Sequence, residues 1–177
     1  MIFEWGNGQN PEIFFTNQND MYLHHVSKIK TDFSSGNAIE IGPGSGEFAC
    51  RFSQEYNMKK YTLLDLKRVI HYSESTLKRC SPNLLVESIY AEEYKKSFSK
   101  QYDVLISNVC IPETPEEYRT DLLNNLIPLS KSAMIIGQLD ETGQDYKNWI
   151  TGLFSNNYQN VLCDLTDYKN CYALIGY

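Results

Sequence analysis

Short runs of apolar residues alternate along the chain with longer segments in which apolar residues recur every three or four positions. A short apolar run bounded by polar or glycine residues is typical of a strand in a parallel sheet, and a recurrence of about 3.6 residues is typical of an amphipathic helix. The pattern predicts strands at 37–41, 60–65, 84–88, 102–108 and 133–139, helices at 20–30, 47–56, 67–80, 116–129 (interrupted near Pro128) and 145–154, and a terminal hairpin of 160–165 and 171–177.

Strands that alternate with helices, followed by a hairpin, indicate a doubly wound α/β sheet. We expect a single domain over residues 1–177, in which residues 1–19 form an irregular lead-in. The central sheet is predicted to have seven strands, mostly parallel, with helices on both faces and a C-terminal antiparallel hairpin. Ligands in such sheets bind at the carboxyl ends of the parallel strands, near the switch between the first and fourth strands.

The composition is that of an ordinary globular protein, with 42% hydrophobic and 21% charged residues. A net charge of −6 argues against general affinity for nucleic acid or for an anionic membrane. The chain begins without a basic, continuously apolar leader, and it has no apolar run long enough to span a bilayer. The cysteines are odd in number and scattered, so we expect reduced core thiols in a cytoplasmic protein; they are Cys50, Cys80, Cys110, Cys163 and Cys171.

The segment 37–46 is the strongest local signal, because an apolar strand runs into a glycine-rich turn that opens the helix at 47–56. Such a turn lets the backbone approach a ligand closely at a helix N-terminus. The dinucleotide fingerprint G-x-G-x-x-G is not met, since Glu47 stands where the third glycine is needed. The chain also lacks the glycine, lysine and serine or threonine of a P-loop.

A second acid supports a nucleoside ligand. Asp65 ends the second predicted strand, 19 positions after Gly46. In nucleotide-binding folds an acid at this position accepts hydrogen bonds from the two ribose hydroxyls.

The pattern Glu40-x-Gly42-x-Gly44-x-Gly46 resembles motif I of the class I S-adenosylmethionine (SAM)-dependent methyltransferases, and residues 20–177 look like a minimal member of that superfamily with its Rossmann-like fold. The resemblance implies SAM as the cofactor. It further implies a cofactor site formed by Glu40, Gly42, Gly44, Gly46, Asp65, Leu66, Ser88, Ile89 and Asn108, in which Ser88 and Ile89 contact the adenine.

Two segments are similar to the sugar O-methyltransferases of bacterial surface-polysaccharide clusters: 61–66 continued by Val69 and Ile70, and Ile106-Ser107-Asn108 followed by Glu113 and Tyr118. Residues 109–112 depart from that pattern. The resemblance implies O-methylation of a sugar or another small hydroxylated acceptor.

An alcohol acceptor needs a base or a metal to remove its proton. Glu113 is predicted as the base, although an acid near the helix start at Pro115 is also an ordinary first-turn residue. As an alternative to a base, Asp140 and Glu141 could hold a divalent metal ion, although two acids after a strand are also typical of a helix start. His71 is predicted to be a surface or packing residue. Aromatic side chains that either stack on a sugar or cover the cofactor are Trp5, Phe14, Phe15 and Tyr22.

Other functions stay open on the sequence alone. One is a non-catalytic SAM-binding module that acts with a partner enzyme. Another is methylation of a protein or of a nitrogen acceptor, although Asn108 is not followed by the Pro-Pro-aromatic sequence of enzymes that act on nucleic-acid base amines.

Overall fold

The protein is described by a computed structural model that covers residues 18–94, 101–108, 110–111, 114–138, 143–165 and 171–177. Seven strands form one sheet in the order β3-β2-β1-β4-β5-β7-β6. Strands β1 to β5 are parallel, and β7 runs antiparallel to both β5 and β6. The strands are β1 Asn37–Ile41, β2 Lys60–Asp65, β3 Leu85–Tyr90, β4 Val104–Asn108, β5 Ala133–Gln138, β6 Val161–Leu165 and β7 Cys171–Gly176.

Within the described ranges, five helices cover the two faces of the sheet, and alternate side chains along each strand divide the core between those faces. Ala38 packs with the first three helices, whereas its neighbour Ile39 packs with the last two. The predicted α/β fold with its switch between β1 and β4 is therefore confirmed. The helices are α1 Gln18–Val26, α2 Glu47–Glu55, α3 Lys67–Cys80, α4 Glu116–Leu126 (followed by a 3-10 turn, Ile127–Leu129) and α5 Gly143–Asn157.

The ends of several elements differ from the prediction. Helix α1 begins at Gln18 and ends at Val26, so Asp20 lies in its first turn, where it pairs with Arg51 (2.5 Å). The chain leaves the helix through a tight turn in which Ile29 N–H donates to Val26 (2.9 Å). Strand β3 starts one residue later and runs two residues further than predicted. The predicted interruption at Pro128 is confirmed, because proline cannot continue the helical hydrogen bonds.

The expectation of five reduced core cysteines is wrong. Cys50 and Cys80 form a disulfide between α2 and α3, and the free Cys163 is exposed. Residues 30 positions apart are brought together by the packing of two helices, which cysteine spacing does not encode. The disulfide removes the support that the cysteine pattern gave to a cytoplasmic location. No helix among the described residues is long and apolar enough to cross a bilayer.

Candidate functional site

The glycine turn after β1 lies at the carboxyl rim of the sheet, which we define as the edge where the parallel strands end. Gly42, Gly44 and Gly46 have φ angles of 71°, 54° and 77°, in the left-handed region that favours glycine. A β-carbon on Gly42 would lie 2.2 Å from the Cys110 Cβ, and one on Gly46 would lie 2.7 Å from the Ser73 carbonyl oxygen. Gly44 has nothing within 4 Å at that position. Two of the glycines therefore permit close packing, and the third leaves open space.

A cavity of about 680 Å³ opens beside this turn. It is lined at the ends of three strands by Ile41, Asp65 and Asn108, and by both Gly42 and Gly44. A volume of this size suits a cofactor-sized ligand. Most of its other lining residues are apolar; they include Leu64, Leu66, Val69, Ala91, Pro115 and Tyr118.

Asp65, at the end of β2, is one of two acids among the described residues that line this cavity; the other is Glu92. Its Oδ1 accepts a hydrogen bond from the Leu66 N–H (2.7 Å). Burial raises the pKa of Asp65 above its usual value, while hydrogen bonds from the backbone of Leu66 and Gly44 oppose that shift. The carboxylate thus links the end of β2 to the glycine turn and remains in the cavity wall.

Glu40 does not line the cavity, although the sequence placed it in the cofactor site. Its side chain is buried on the Ala38 face of β1, since side chains alternate along a strand. The carboxylate accepts hydrogen bonds from the Tyr61 hydroxyl (2.8 Å) and from the Asn108 Nδ2 (3.3 Å). Burial raises the pKa of Glu40 to about 7. Its position is therefore behind the cavity, where it orients Asn108.

Asn108 lines the cavity at the end of β4. Because its amide nitrogen is directed at Glu40, its Oδ1 is left without a donor among the described residues. A buried amide oxygen without a donor is an acceptor for a ligand or for a water molecule.

The predicted adenine contacts Ser88 and Ile89 are not brought to the cavity. The Ser88 hydroxyl donates to Glu74 (3.2 Å) on α3, and Ile89 packs in the core. Because β3 continues to Tyr90, the residues that follow it, Ala91 and Glu92, line the cavity instead. Gly46, also predicted, packs against α3 and lies behind the turn.

Several lining residues were not assigned to the site from the sequence, among them Cys110, Thr114 and Tyr118. The Tyr118 hydroxyl donates to the Ala91 carbonyl (2.8 Å) and so joins α4 to the end of β3. Burial raises the pKa of Tyr118 to about 12. The resemblance had included Tyr118, but only as part of a sequence pattern.

Most of the predicted catalytic and acceptor-binding residues cannot be placed relative to the cavity. Glu113, Asp140, Glu141, Trp5, Phe14 and Phe15 lie outside the described residues. Tyr22 is buried against the Phe48 ring, with centroids 5.6 Å apart, and therefore belongs to the core rather than to the rim. His71 is exposed, as expected. Within the described ranges no group of three or more metal-ligating side chains is found.

Comparison with known proteins identifies the fold. No protein-family model matches the chain, and no curated protein matches it. Among solved structures, it is similar to an O-methyltransferase family protein from Burkholderia thailandensis, with a TM-score of 0.69 and 14% identity over 89% of this chain and 55% of that chain. The chain thus spans about half the length of that protein.

Two further similar structures are matched over a larger share of their own length. The methyltransferase domain of bacterial CtHen1-CN gives a TM-score of 0.70 and 12% identity over 90% of this chain and 99% of that domain. The magnesium protoporphyrin IX methyltransferase ChlM from Synechocystis PCC 6803, solved with bound SAH, gives a TM-score of 0.60 and 11% identity over 89% of this chain and 80% of that chain. The chain has the fold of the class I SAM-dependent methyltransferases.

Proposed function

We propose that this protein is a SAM-dependent methyltransferase that methylates an oxygen of a small hydroxylated acceptor, and that a sugar is the first acceptor class to test. The observation that carries the proposal is that Gly44, which has nothing within 4 Å where a β-carbon would stand, lines a cavity together with Asp65. A turn without a side chain at that point and a carboxylate beside it suit a ligand with a polar amino-acid end and a ribose.

The residues present fit SAM group by group. The backbone of Gly42 and Gly44 is available to the methionine part, and the Asn108 Oδ1 is an acceptor for its ammonium group. Asp65 can accept from both ribose hydroxyls. Leu66 and Glu92 also line the cavity, and their apolar side chain and carboxylate suit an adenine ring and its amino group.

SAM supplies a methyl group on a positively charged sulfur, which a nucleophile displaces in line. The chain's own contribution is to align the two reactants and to keep water away, which the apolar lining of the cavity supports. Tyr118 is unsuited as the base, since its hydroxyl already donates to Ala91 and its pKa is raised. Glu113 remains our proposal for that role.

The non-catalytic alternative is not favoured, because the similar structures are named as methyltransferases. The sugar acceptor rests on the sequence resemblance alone. Titration of SAM into the purified chain tests the cofactor, and transfer of labelled methyl from SAM to a panel of sugars, phenols and carboxylic acids tests the reaction. We expect SAM binding and label in a hydroxylated acceptor. Binding without transfer to any member of the panel would favour the non-catalytic module, and absence of binding would contradict the proposal.

A further inference from the structure

We propose that the Cys50–Cys80 disulfide is a redox-controlled clamp on the glycine turn, so that the oxidised chain binds SAM more tightly than the reduced chain. The inference rests on the proposed function and adds its regulation by a dithiol. It follows from how α2 and α3 hold the turn between them.

Helix α2 connects Cys50 directly to the turn. The Cys50 N–H donates to the Gly46 carbonyl (3.0 Å), and the Gly46 N–H donates to the Pro43 carbonyl (2.9 Å). Cys50 therefore lies one helical turn from the last glycine, and a displacement of its backbone moves that glycine.

The glycine turn also packs against helix α3. The Ser73 hydroxyl donates to the Gly44 carbonyl (2.6 Å), and the Gly46 α-carbon packs on the Ser73 backbone too closely for a side chain. Cys80 follows Ser73 by two turns of the same helix, a rise of about 10 Å. The disulfide thus fixes the distance between the two helices that shape the turn.

Polar contacts also join the two helices near the disulfide. The Ser53 and Ser81 hydroxyls lie 3.1 Å apart, and the Gln54 Nε2 donates to the Cys80 carbonyl (2.9 Å). Hydrogen bonds of this kind each contribute only modestly to stability. Reduction is therefore expected to loosen the packing of α2 on α3 without unfolding the sheet.

A reductant can reach the disulfide without entering the SAM cavity. Both cysteines are partly exposed, and Cys80 lines a polar cleft of about 600 Å³ together with Ser35, Asn57 and Pro82. The cleft lies among the segments that precede the parallel strands, opposite the carboxyl rim. In the exchange, one thiolate of a dithiol attacks a sulfur of the disulfide, and its second thiolate then closes the dithiol into its own disulfide. Two electrons pass to Cys50 and Cys80, which take up two protons and become thiols.

The test is calorimetric titration of SAM into the oxidised chain and into the chain reduced with dithiothreitol. If reduction lowers the fraction of chains with a competent turn to roughly 10–30%, the affinity falls about three- to tenfold. The double variant Cys50→Ser, Cys80→Ser should show the reduced affinity in both conditions. Cys163→Ser, which changes an exposed thiol on β6, should respond to the reductant like the wild type.

A second control separates the clamp from a general loss of stability. Phe154→Leu weakens the core on the other face of the sheet and should lower the melting temperature while leaving SAM affinity unchanged. Equal affinity of the oxidised and reduced wild-type chains would overturn the clamp while leaving the proposed function intact. A thiol count of five in the denatured chain after mild oxidation would do the same. Absence of SAM binding in every sample would overturn both.

Discussion

Four acidic side chains, two at each rim of the sheet, have pKa values that are shifted in opposite directions at the two rims. At the carboxyl rim, burial raises the pKa of Glu40 and of Asp65. Before the first residues of β1 and β4, which we call the amino rim, the pKa values of Asp32 and Asp103 are lowered. Hydrogen bonds from Ser34 lower the pKa of Asp32.

The Asp103 case shows how an acid is satisfied within the chain. Burial alone would raise its pKa, but the Lys131 ammonium (2.6 Å) and the Asn37 N–H (2.8 Å) outweigh that effect. Asp65 at the carboxyl rim has mainly backbone hydrogen bonds against its burial. The difference teaches that Asp32 and Asp103 at the amino rim are stabilised as carboxylates by partners within the chain, whereas Asp65 at the carboxyl rim retains acceptor capacity for a ligand.

The largest effect is expected on turnover. Glu113→Gln keeps the shape of the side chain and removes its basicity, so turnover should fall roughly 10²- to 10⁴-fold while SAM affinity holds. The matched control is Glu116→Gln, since Glu116 is an exposed acid in the first turn of α4 and should not affect turnover. Unchanged turnover in Glu113→Gln would direct attention to a metal at Asp140 and Glu141, which EDTA would reveal.

The next effect is on SAM affinity. Gly44→Val places a side chain in the open space of the turn at a φ of 54°, so affinity should fall at least about 100-fold, or about 3 kcal/mol. Gly152 in α5 also has open space where a β-carbon would stand, with nothing within 4 Å, and Gly152→Val should bind normally. Circular dichroism checks that the sheet persists in both variants. Retained affinity in Gly44→Val would mean that the glycine turn is only a structural connection.

A smaller effect concerns stability and pH at the carboxyl rim. Because the folded-state pKa of Glu40 is raised from 4.5 to about 7, the folded chain binds more protons than the unfolded chain between these values. Stability should therefore fall as pH rises through this window, by roughly 2–3 kcal/mol between about pH 5 and pH 8. Glu40→Gln, which mimics the neutral acid, should lack this loss in urea unfolding. Parallel pH profiles of the two proteins would contradict the account of Glu40.

The smallest effect is expected at the amino rim. Asp103→Asn removes the ion pair with the exposed Lys131 and should reduce the free energy of unfolding by about 0.5–1 kcal/mol. SAM affinity should stay within about twofold, because the residue lies opposite the cavity. A larger loss of affinity would show that the two rims are not independent.

The parts of the site that the sequence predicted are those fixed by local structure. The turn from Gly42 to Gly46 lies between an apolar strand and an amphipathic helix, and this local order predicts it. Asp65 is predicted because it ends the next apolar strand. The switch between β1 and β4 was also predicted, from the alternation of strands and helices and from the handedness of their connections.

The parts that could not be predicted depend on strand ends and on contacts between distant segments. Strand β3 runs two residues further than predicted, so Ser88 and Ile89 lie within the strand, and Glu92, which follows it, lines the cavity. The sequence pattern also does not reveal that the Glu40 side chain lies on the Ala38 face of β1, where it bonds to Tyr61 and Asn108. The Tyr118 hydrogen bond joins residues 27 positions apart, and no local signal encodes it.

The central claim is that SAM binds at the carboxyl rim through Asp65, and calorimetry of Asp65→Ala beside Asp32→Ala tests it most directly. Loss of a charged acceptor for two hydroxyls should weaken SAM binding by about 2–3 kcal/mol, or about 30- to 150-fold. Asp32→Ala changes an acid at the amino rim that accepts hydrogen bonds from Ser34, and this variant should bind as the wild type does. Wild-type affinity in a folded Asp65→Ala chain would contradict the assignment.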